Sequence, residues 1–197
     1  MWTPRLPSAE FVDAFLRGEA AQPFSYREVG ASDRAWPPGY NLDHNRVRLG
    51  RGAAVFAAAC GALRAWRMFP APWTKISPPD AAIEMGTVIA MQARAFGGWW
   101  VNGCRIVYVV DEREPVRRSG FAYGTLPSHV EQGEERFTVE WLADDTVWYD
   151  LRAFSRPRAL VVRLAKPLAR RLQRRVVCDS QRAMRAAVQE LTGGSSE

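Results

Sequence analysis

Six stretches of the chain between residues 73 and 154 alternate apolar and polar residues with a period of two. That period is typical of a β-strand with one buried face. Turn residues, among them Gly97-Gly98 and Ala143-Asp144-Asp145, separate the stretches, and a similar stretch lies earlier in the chain. The alternation therefore predicts seven strands, at residues 41–49, 73–77, 85–94, 104–110, 120–126, 134–142 and 146–154.

Three other stretches place apolar residues at the three- and four-residue spacing of a helix. The first follows Ser8, a good N-cap residue, and stops at Gly18. The second covers residues 51–66. The third covers residues 157–191, and its Pro167 is expected to kink the helix or to begin its second part.

The order of these elements is helix, strand, helix, six strands and a long helix. Parallel doubly wound folds need strands and helices to alternate, and this order does not. It predicts an α+β fold in which an antiparallel, curved sheet of seven strands grips the long C-terminal helix. An extra N-terminal helix and an aromatic-rich loop at residues 22–40 come first. We expect residues 1–192 to form a single helix-grip domain and residues 193–197 to form a flexible tail.

The composition is that of an ordinary soluble protein, with 47% hydrophobic and 24% charged residues. The longest uncharged apolar run, residues 52–63, is well short of the roughly 20 residues that cross a bilayer. The N-terminal residues lack the apolar core of a signal peptide, because prolines and charged residues interrupt them. A cytoplasmic location is expected.

The spacing of cysteines, histidines and glycines does not indicate a metal or cofactor site. Three cysteines lie far apart, and the two histidines, His44 and His129, have no partner at metal-ligand spacing. Glycines at 50 and 52 stand between a strand and a helix, but Val55 replaces the third glycine of a dinucleotide-binding turn. The sequence thus predicts neither a metal nor a cofactor, and it identifies no catalytic residue.

One carboxylate falls on an apolar face of a predicted strand. Alternation puts Glu135 with Phe137, Val139 and Trp141, while Glu134 faces the other way. A buried carboxylate needs a partner or a raised pKa. We expect a small-molecule pocket between the sheet and the C-terminal helix, because several aromatic residues share this face by the same parity. The predicted ligand-binding residues are Tyr108, Tyr123, Glu135, Phe137, Trp141 and Tyr149.

That reading of Glu135 has an alternative, in which the carboxylate bonds to a neighbouring tyrosine or arginine and only fixes the register of the strands. Substitution separates the two. If Glu135 faces a ligand, its replacement alters affinity, whereas replacement of Glu134 on the opposite face should do almost nothing.

The net charge of +6 is concentrated near the C-terminus. Residues 156–185 hold ten basic residues and one acidic residue, Asp179. Such a face suits nucleic acid or an anionic membrane, and it equally suits the solvated side of a helix that packs on a core. No nucleic-acid-binding motif accompanies it, so we expect no sequence-specific nucleic-acid partner.

Several short segments of the sequence resemble the DUF1990 family, a domain of unknown function. They are spread over nearly the whole chain and lie at residues 24–31, 38–40, 46–52, 102–108, 120–127, 131–137 and 153–157. The predicted strand order is also similar to the START-like helix-grip superfamily. That resemblance implies a cavity between sheet and helix, of the kind that commonly holds lipids, steroids or polyketides.

Three functions remain open at this point. The favoured one is binding of a hydrophobic or amphipathic small molecule in the cavity. The second is an enzyme, a cyclase, isomerase or hydrolase, that uses Glu135 as acid or base. The third is an interaction protein that uses the basic C-terminal helix. The sequence determines neither the ligand nor the oligomeric state.

Overall fold

The structure is a computed structural model that describes residues 1–69, 72–158 and 166–193. It contains the helices α1 (Ala9–Glu19), α2 (Gly52–Arg64) and α3 (Lys166–Leu191), and a short 3₁₀ helix at Ala31–Asp33. The strands are β1 (Trp2–Thr3), β2 (Asn41–Arg51), β3 (Thr74–Ser77), β4 (Val88–Ala95), β5 (Gly98–Glu112), β6 (Arg117–Thr125), β7 (Glu131–Trp141) and β8 (Thr146–Pro157).

All strands pair antiparallel in one sheet of order β2-β8-β7-β6-β5-β4-β3, and β1 adds to β5. Strands β3 to β8 form a meander in which each strand pairs with the next in sequence, and β2 joins at the β8 edge. The seven predicted strands are all present, and the two-residue β1 is additional. The α+β helix-grip prediction is confirmed.

Helices α2 and α3 pack on one face of the sheet, which we call the inner face. The core between them combines large, mostly apolar side chains from both layers. It includes Phe56 and Leu63 of α2, Met184 and Val188 of α3, and Phe121, Phe137 and Tyr149 of the sheet.

The opposite, outer face carries the N-terminal part of the chain. Val12 of α1 packs on Ala90 and Val101 of β4 and β5. The loop at residues 22–40 packs farther along, and its Tyr26 and Tyr40 rings contact Phe154 of β8 edge to face. The predicted extra helix and loop thus close the second side of the sheet.

The C-terminal helix differs from its predicted bounds. Residues 154–157 continue β8, because Ser155 and Pro157 pair with Gly133 and Glu131 of β7, so the helix does not begin at 157. It begins at Lys166, and Pro167 lies in its first turn, where a missing N–H costs no hydrogen bond. The first part of the predicted helix, at 159–165, and tail residues 194–197 lie outside the described residues.

None of the helices in the described ranges combines the length and the hydrophobicity that a membrane span requires.

Candidate functional site

A cavity of about 510 Å³ lies between the inner face of the sheet and α3. Its size is within the range of small-molecule pockets, about 300–1,000 Å³. Apolar side chains from both layers form much of the described wall. They include Phe69, Trp73, Met91, Leu151, Leu172 and Val176.

A row of directly paired residues crosses the sheet along the floor of this cavity. Asp43 of β2 pairs with Ala153 of β8, Ala153 pairs with Glu135 of β7, and Glu135 pairs with Tyr123 of β6. All four line the cavity. Because cross-strand partners lie on one face, the strand register alone brings two carboxylates and a phenol together.

Tyr123 and Glu135 form the central polar pair of the row. The Tyr123 hydroxyl donates to Glu135 Oε2 at 2.6 Å. The pKa of Glu135 is raised to about 7: burial raises it most, the Tyr123 hydrogen bond lowers it, and the carboxylates of Glu131 and Asp43 raise it. Burial likewise raises the pKa of Tyr123 well above its usual range, so the phenol stays protonated and remains the donor. Glu135 can therefore hold or release a proton near neutral pH.

Residues of α3 tie the helix to the sheet beside this pair. Arg170 donates two hydrogen bonds to Asp43, at 2.6 and 2.9 Å, and a third to Gln173 Oε1 at 2.9 Å. The Gln173 amide nitrogen lies 2.7 Å from each carboxylate oxygen of Glu131. The guanidinium charge is thus matched by Asp43, and it leaves Glu135 without a cation in hydrogen-bonding contact among the described residues.

His129, which precedes β7, is a neutral member of the cavity wall. Burial lowers its pKa to about 4. Its Nδ1 lies 3.0 Å from the backbone nitrogen and 3.1 Å from the backbone oxygen of Glu131. The ring therefore adds no positive charge to the cavity at neutral pH.

Of the six predicted ligand-binding residues, Tyr123 and Glu135 line the cavity, Phe137 and Tyr149 lie in the packed core, and Trp141 packs against that core. Phe137 and Tyr149 are nearly inaccessible, and the Tyr149 hydroxyl pairs with Ser180 Oγ of α3 at 2.9 Å. Trp141 lies at the far end of β7, where its ring packs on Phe56. These three side chains stabilise the layers beneath the cavity and form no part of its described wall.

Tyr108 lies on the outer face, so its predicted position on the inner face is wrong. The pairing of β5 with β6 passes from Ile106 opposite Tyr123 to Tyr108 opposite Ala122. Val107 is an extra residue, a β-bulge, and one extra residue exchanges the two faces of every later position. The Tyr108 hydroxyl lies 2.6 Å from Ser32 Oγ in the outer loop.

Glu134 is buried on the outer face, which strand alternation alone did not predict. One carboxylate oxygen accepts from Tyr26 Oη at 2.7 Å and from the backbone N–H of Gly30 at 2.8 Å. The other accepts from the backbone N–H of Ser32 at 3.0 Å and from its hydroxyl. Gly124 permits this arrangement, because a Cβ there would collide with the Tyr26 hydroxyl. Glu134 anchors the outer loop, so its replacement removes buried hydrogen bonds. The sequence analysis, in contrast, expected this replacement to do almost nothing.

Asp43 and Glu131, the other two carboxylates of the cavity floor, were missed by the sequence reasoning, although strand parity places both on the inner face. In β2, Asp43 lies on the same face as Val47, just as Glu135 lies on the same face as Phe137 in β7. Glu131 begins β7 at the same parity as Glu135, so alternation also places it on the inner face, where the Gln173 amide contacts its carboxylate.

Comparison with known proteins places this geometry in a family. The DUF1990 family, described as a domain of unknown function, matches residues 25–183. A UPF0548 protein of Deinococcus radiodurans is 37% identical over 187 residues, which cover 89% of this chain and 92% of that protein. A UPF0548 protein of Dictyostelium discoideum is 29% identical over 207 residues, 95% of this chain and 96% of that protein.

Among solved structures, the hypothetical protein jhp0584 from Helicobacter pylori is similar, with a TM-score of 0.50 and 16% identity. The similarity covers 78% of this chain and 92% of that one. At this identity it supports the fold alone.

Proposed function

The chain belongs to the DUF1990 family, and from that premise and the geometry of its cavity we propose that the protein binds a hydrophobic or amphipathic small molecule between the sheet and α3. The observation that carries the proposal is a cavity of about 510 Å³ with an apolar wall and one polar row on its floor. Ligand sites commonly combine a mostly apolar lining with a few placed polar groups.

Packing supports this proposal. Protein interiors are normally close-packed, and unfilled space lowers stability because wall atoms lose their contacts. Here the core below the cavity is dense, with Phe121, Phe137 and Tyr149 almost completely buried. An open volume directly above that core is therefore a feature of one end of the domain and does not reflect poor packing throughout.

The shape of the polar row also suits a ligand. Glu135 accepts one hydrogen bond from the described residues, that of Tyr123, whereas Glu134 on the outer face accepts four. An acceptor with unused capacity, held on a rigid strand, can orient the polar end of a bound molecule. We propose Tyr123 and Glu135 as the polar contacts and a cytoplasmic site of action.

Mass spectrometry under native conditions, on protein purified from its own host, tests the proposal. We expect an added mass that is released on denaturation and identified as an apolar or amphipathic molecule. Ala153→Trp, which fills the floor beside Glu135, should abolish the added mass, and Ala186→Trp on the exposed side of α3 should retain it. Equal retention by both variants would place the molecule elsewhere.

An enzyme is the second candidate, and the position of Glu135 supports it. A general acid or base works best when its pKa lies near the operating pH, and burial raises the pKa of Glu135 to about 7. In an enzyme of this kind the isosteric Glu135→Gln would convert the bound molecule more slowly while still binding it. In a binding protein the same variant would change affinity and produce no chemical difference in the released molecule.

A further inference from the structure

The charges around the cavity floor indicate which polar group a ligand can carry, an inference that rests on the proposed function. Three carboxylates lie within one region of the sheet: Asp43, Glu131 and Glu135. Asp43 and Glu131 both act electrostatically on Glu135. Arg170 is the cation that contacts this cluster. Its two Nη atoms each donate a hydrogen bond to the Asp43 carboxylate. The floor therefore carries an excess of negative charge.

The hydrogen-bonding groups point the same way. Glu135 accepts a hydrogen bond from the Tyr123 hydroxyl, and Glu131 accepts hydrogen bonds from the Gln173 amide. Both donors are thus already engaged with protein carboxylates. What the floor still offers to a ligand is acceptor capacity on carboxylate oxygens. An incoming carboxylate or phosphate would bring more acceptors and more negative charge beside Glu135, whose hydrogen-bonding contacts among the described residues include no cation.

We infer that the cavity selects a ligand whose polar end donates hydrogen bonds and carries no negative charge, and that a protonated amine is preferred over a carboxylate on the same apolar skeleton. The ligand's donor lies against Glu135 in this arrangement, and its apolar part lies along the wall that includes Trp73, Met91 and Val176. Free fatty acids and other apolar carboxylates are therefore poor ligands.

Several other titratable or charged groups surround Glu135 and bear on how this selection depends on pH. They are Asp43 of β2, Cys104 of β5, Tyr123 of β6, Glu131 of β7, Tyr149 of β8, and Arg170 of α3. The cavity wall adds His129, Arg174 and Cys178. Burial raises the pKa values of Cys104, Tyr123 and Tyr149, so these groups stay neutral near neutral pH, and burial lowers the pKa of His129 to about 4.

Burial also raises the pKa of Glu131, and Glu135, whose pKa is about 7, changes its charge between slightly acidic and slightly basic conditions. Its carboxyl gains negative charge as the pH rises through about 7. The affinity for a protonated amine should rise over that interval, the affinity for a carboxylate should fall, and the affinity for a neutral alcohol should change little. Arg174 is exposed, so solvent screens its charge more strongly than that of the buried groups.

Three probes with one skeleton test the inference: 2-naphthylmethylamine, 2-naphthylmethanol and 2-naphthoate. Their affinities are measured by calorimetry at about pH 6 and about pH 8, where Glu135 is mostly protonated and mostly ionised respectively. At the higher pH we expect the amine to bind at least about tenfold more tightly than the carboxylate. Glu135→Gln should reduce that ratio and its pH dependence, and Glu190→Gln, at an exposed ion pair with Arg67, should leave both unchanged.

The outcomes distinguish failure of the charge selection from failure of ligand binding itself. Equal binding of the three probes, or tighter binding of the carboxylate, overturns the charge selection and leaves the ligand-binding proposal intact. Failure of all three to bind, together with failure of a neutral apolar probe, overturns both. Should Glu135→Gln not fold, the pH dependence of the unmodified protein still decides, because an amine affinity that falls or stays constant as the pH rises contradicts the inference.

Discussion

Tyr123 and Glu135 face each other across β6 and β7, and the phenol donates to the carboxylate at 2.6 Å. The two residues are directly paired in the sheet register, so neither side chain has to leave its strand position to meet the other. One hydrogen bond only partly offsets the cost of burying the carboxylate, and burial still raises the pKa of Glu135 to about 7. That relationship makes the stability of the fold depend on pH.

The first prediction concerns this dependence. The usual pKa of a glutamate is 4.5, and the folded-state value of Glu135 is higher, so the folded chain binds the proton more tightly than the unfolded chain. The resulting stability is fully present below about pH 4.5 and is lost as the pH rises through about 7. The loss is on the order of 3 kcal/mol. Urea denaturation at a series of pH values should show it, and Glu135→Gln should lack it.

Glu190→Gln provides the control for that series, because Glu190 is exposed and pairs with Arg67 at the surface. Its free energy of unfolding should follow the pH profile of the unmodified protein. Identical profiles for the unmodified protein and Glu135→Gln would contradict the raised pKa.

The second prediction concerns Glu134, whose carboxylate accepts hydrogen bonds from Tyr26, Gly30 and Ser32. Glu134→Gln places an amide N–H₂ against one pair of these donors, so a buried group loses its partners. We expect a loss of about 2–4 kcal/mol in the free energy of unfolding and faster proteolysis within residues 22–40.

The comparison again is with Glu190→Gln, which should change the free energy of unfolding by less than about 1 kcal/mol. If Glu134→Gln were equally mild and its loop remained protected from protease, the carboxylate would not be the anchor of the loop.

The third prediction concerns the contact between Tyr149 of β8 and Ser180 of α3, two buried hydroxyls 2.9 Å apart. Tyr149→Phe and Ser180→Ala should each cost about 1 kcal/mol, because each leaves the other hydroxyl without its partner. The double variant should cost less than the sum of the two, with a coupling energy of about 1 kcal/mol. Chemical denaturation of all four proteins gives this value, and strictly additive effects would show that the pair contributes nothing of its own.

Much of the fold was predictable because its strands turn mostly apolar side chains toward the helices and more polar side chains toward the outer face. Each alternates apolar and polar residues, and the alternation of β7 placed Glu135 on the inner face, beside Phe137. The same reasoning failed at Tyr108, since a β-bulge at Val107 leaves no mark in a run of apolar residues.

The candidate site was predictable only in its sheet half. Contacts between distant segments decide the rest: Arg170 reaches Asp43 from α3, and Ser32 reaches Glu134 from the N-terminal loop. No local pattern determines which of the ten basic residues in 156–185 pairs with a cavity carboxylate. Nor does any local pattern show that an outward carboxylate is covered by a loop about 100 residues away.

The fourth prediction concerns the basic face of α3. Arg171 and Arg174 are exposed and form no ion pair with the described residues, whereas Arg170 is engaged with Asp43. We expect DNA and RNA to bind weakly, without sequence preference, and less tightly as salt rises. Replacing Arg171 and Arg174 with Gln should make the dependence of log affinity on log salt shallower, reducing the magnitude of the slope by about one to two.

Arg170→Gln behaves differently in this scheme. It should destabilise the fold, because Asp43 loses both hydrogen bonds, with little further effect on the salt slope. Tight, sequence-selective binding that survives about physiological salt would instead make nucleic acid the principal partner.

The central claim is that the space between sheet and α3 holds an apolar molecule, and binding of N-phenyl-1-naphthylamine, a neutral probe that fluoresces in apolar surroundings, tests it most directly. We expect a saturable rise in emission in the unmodified protein and in Ala186→Trp, and its loss in Ala153→Trp, whose new side chain fills the cavity floor beside Glu135. Circular dichroism and denaturation establish that both variants are folded. The absence of saturable binding to the unmodified protein, or equal binding by a folded Ala153→Trp, would contradict the claim.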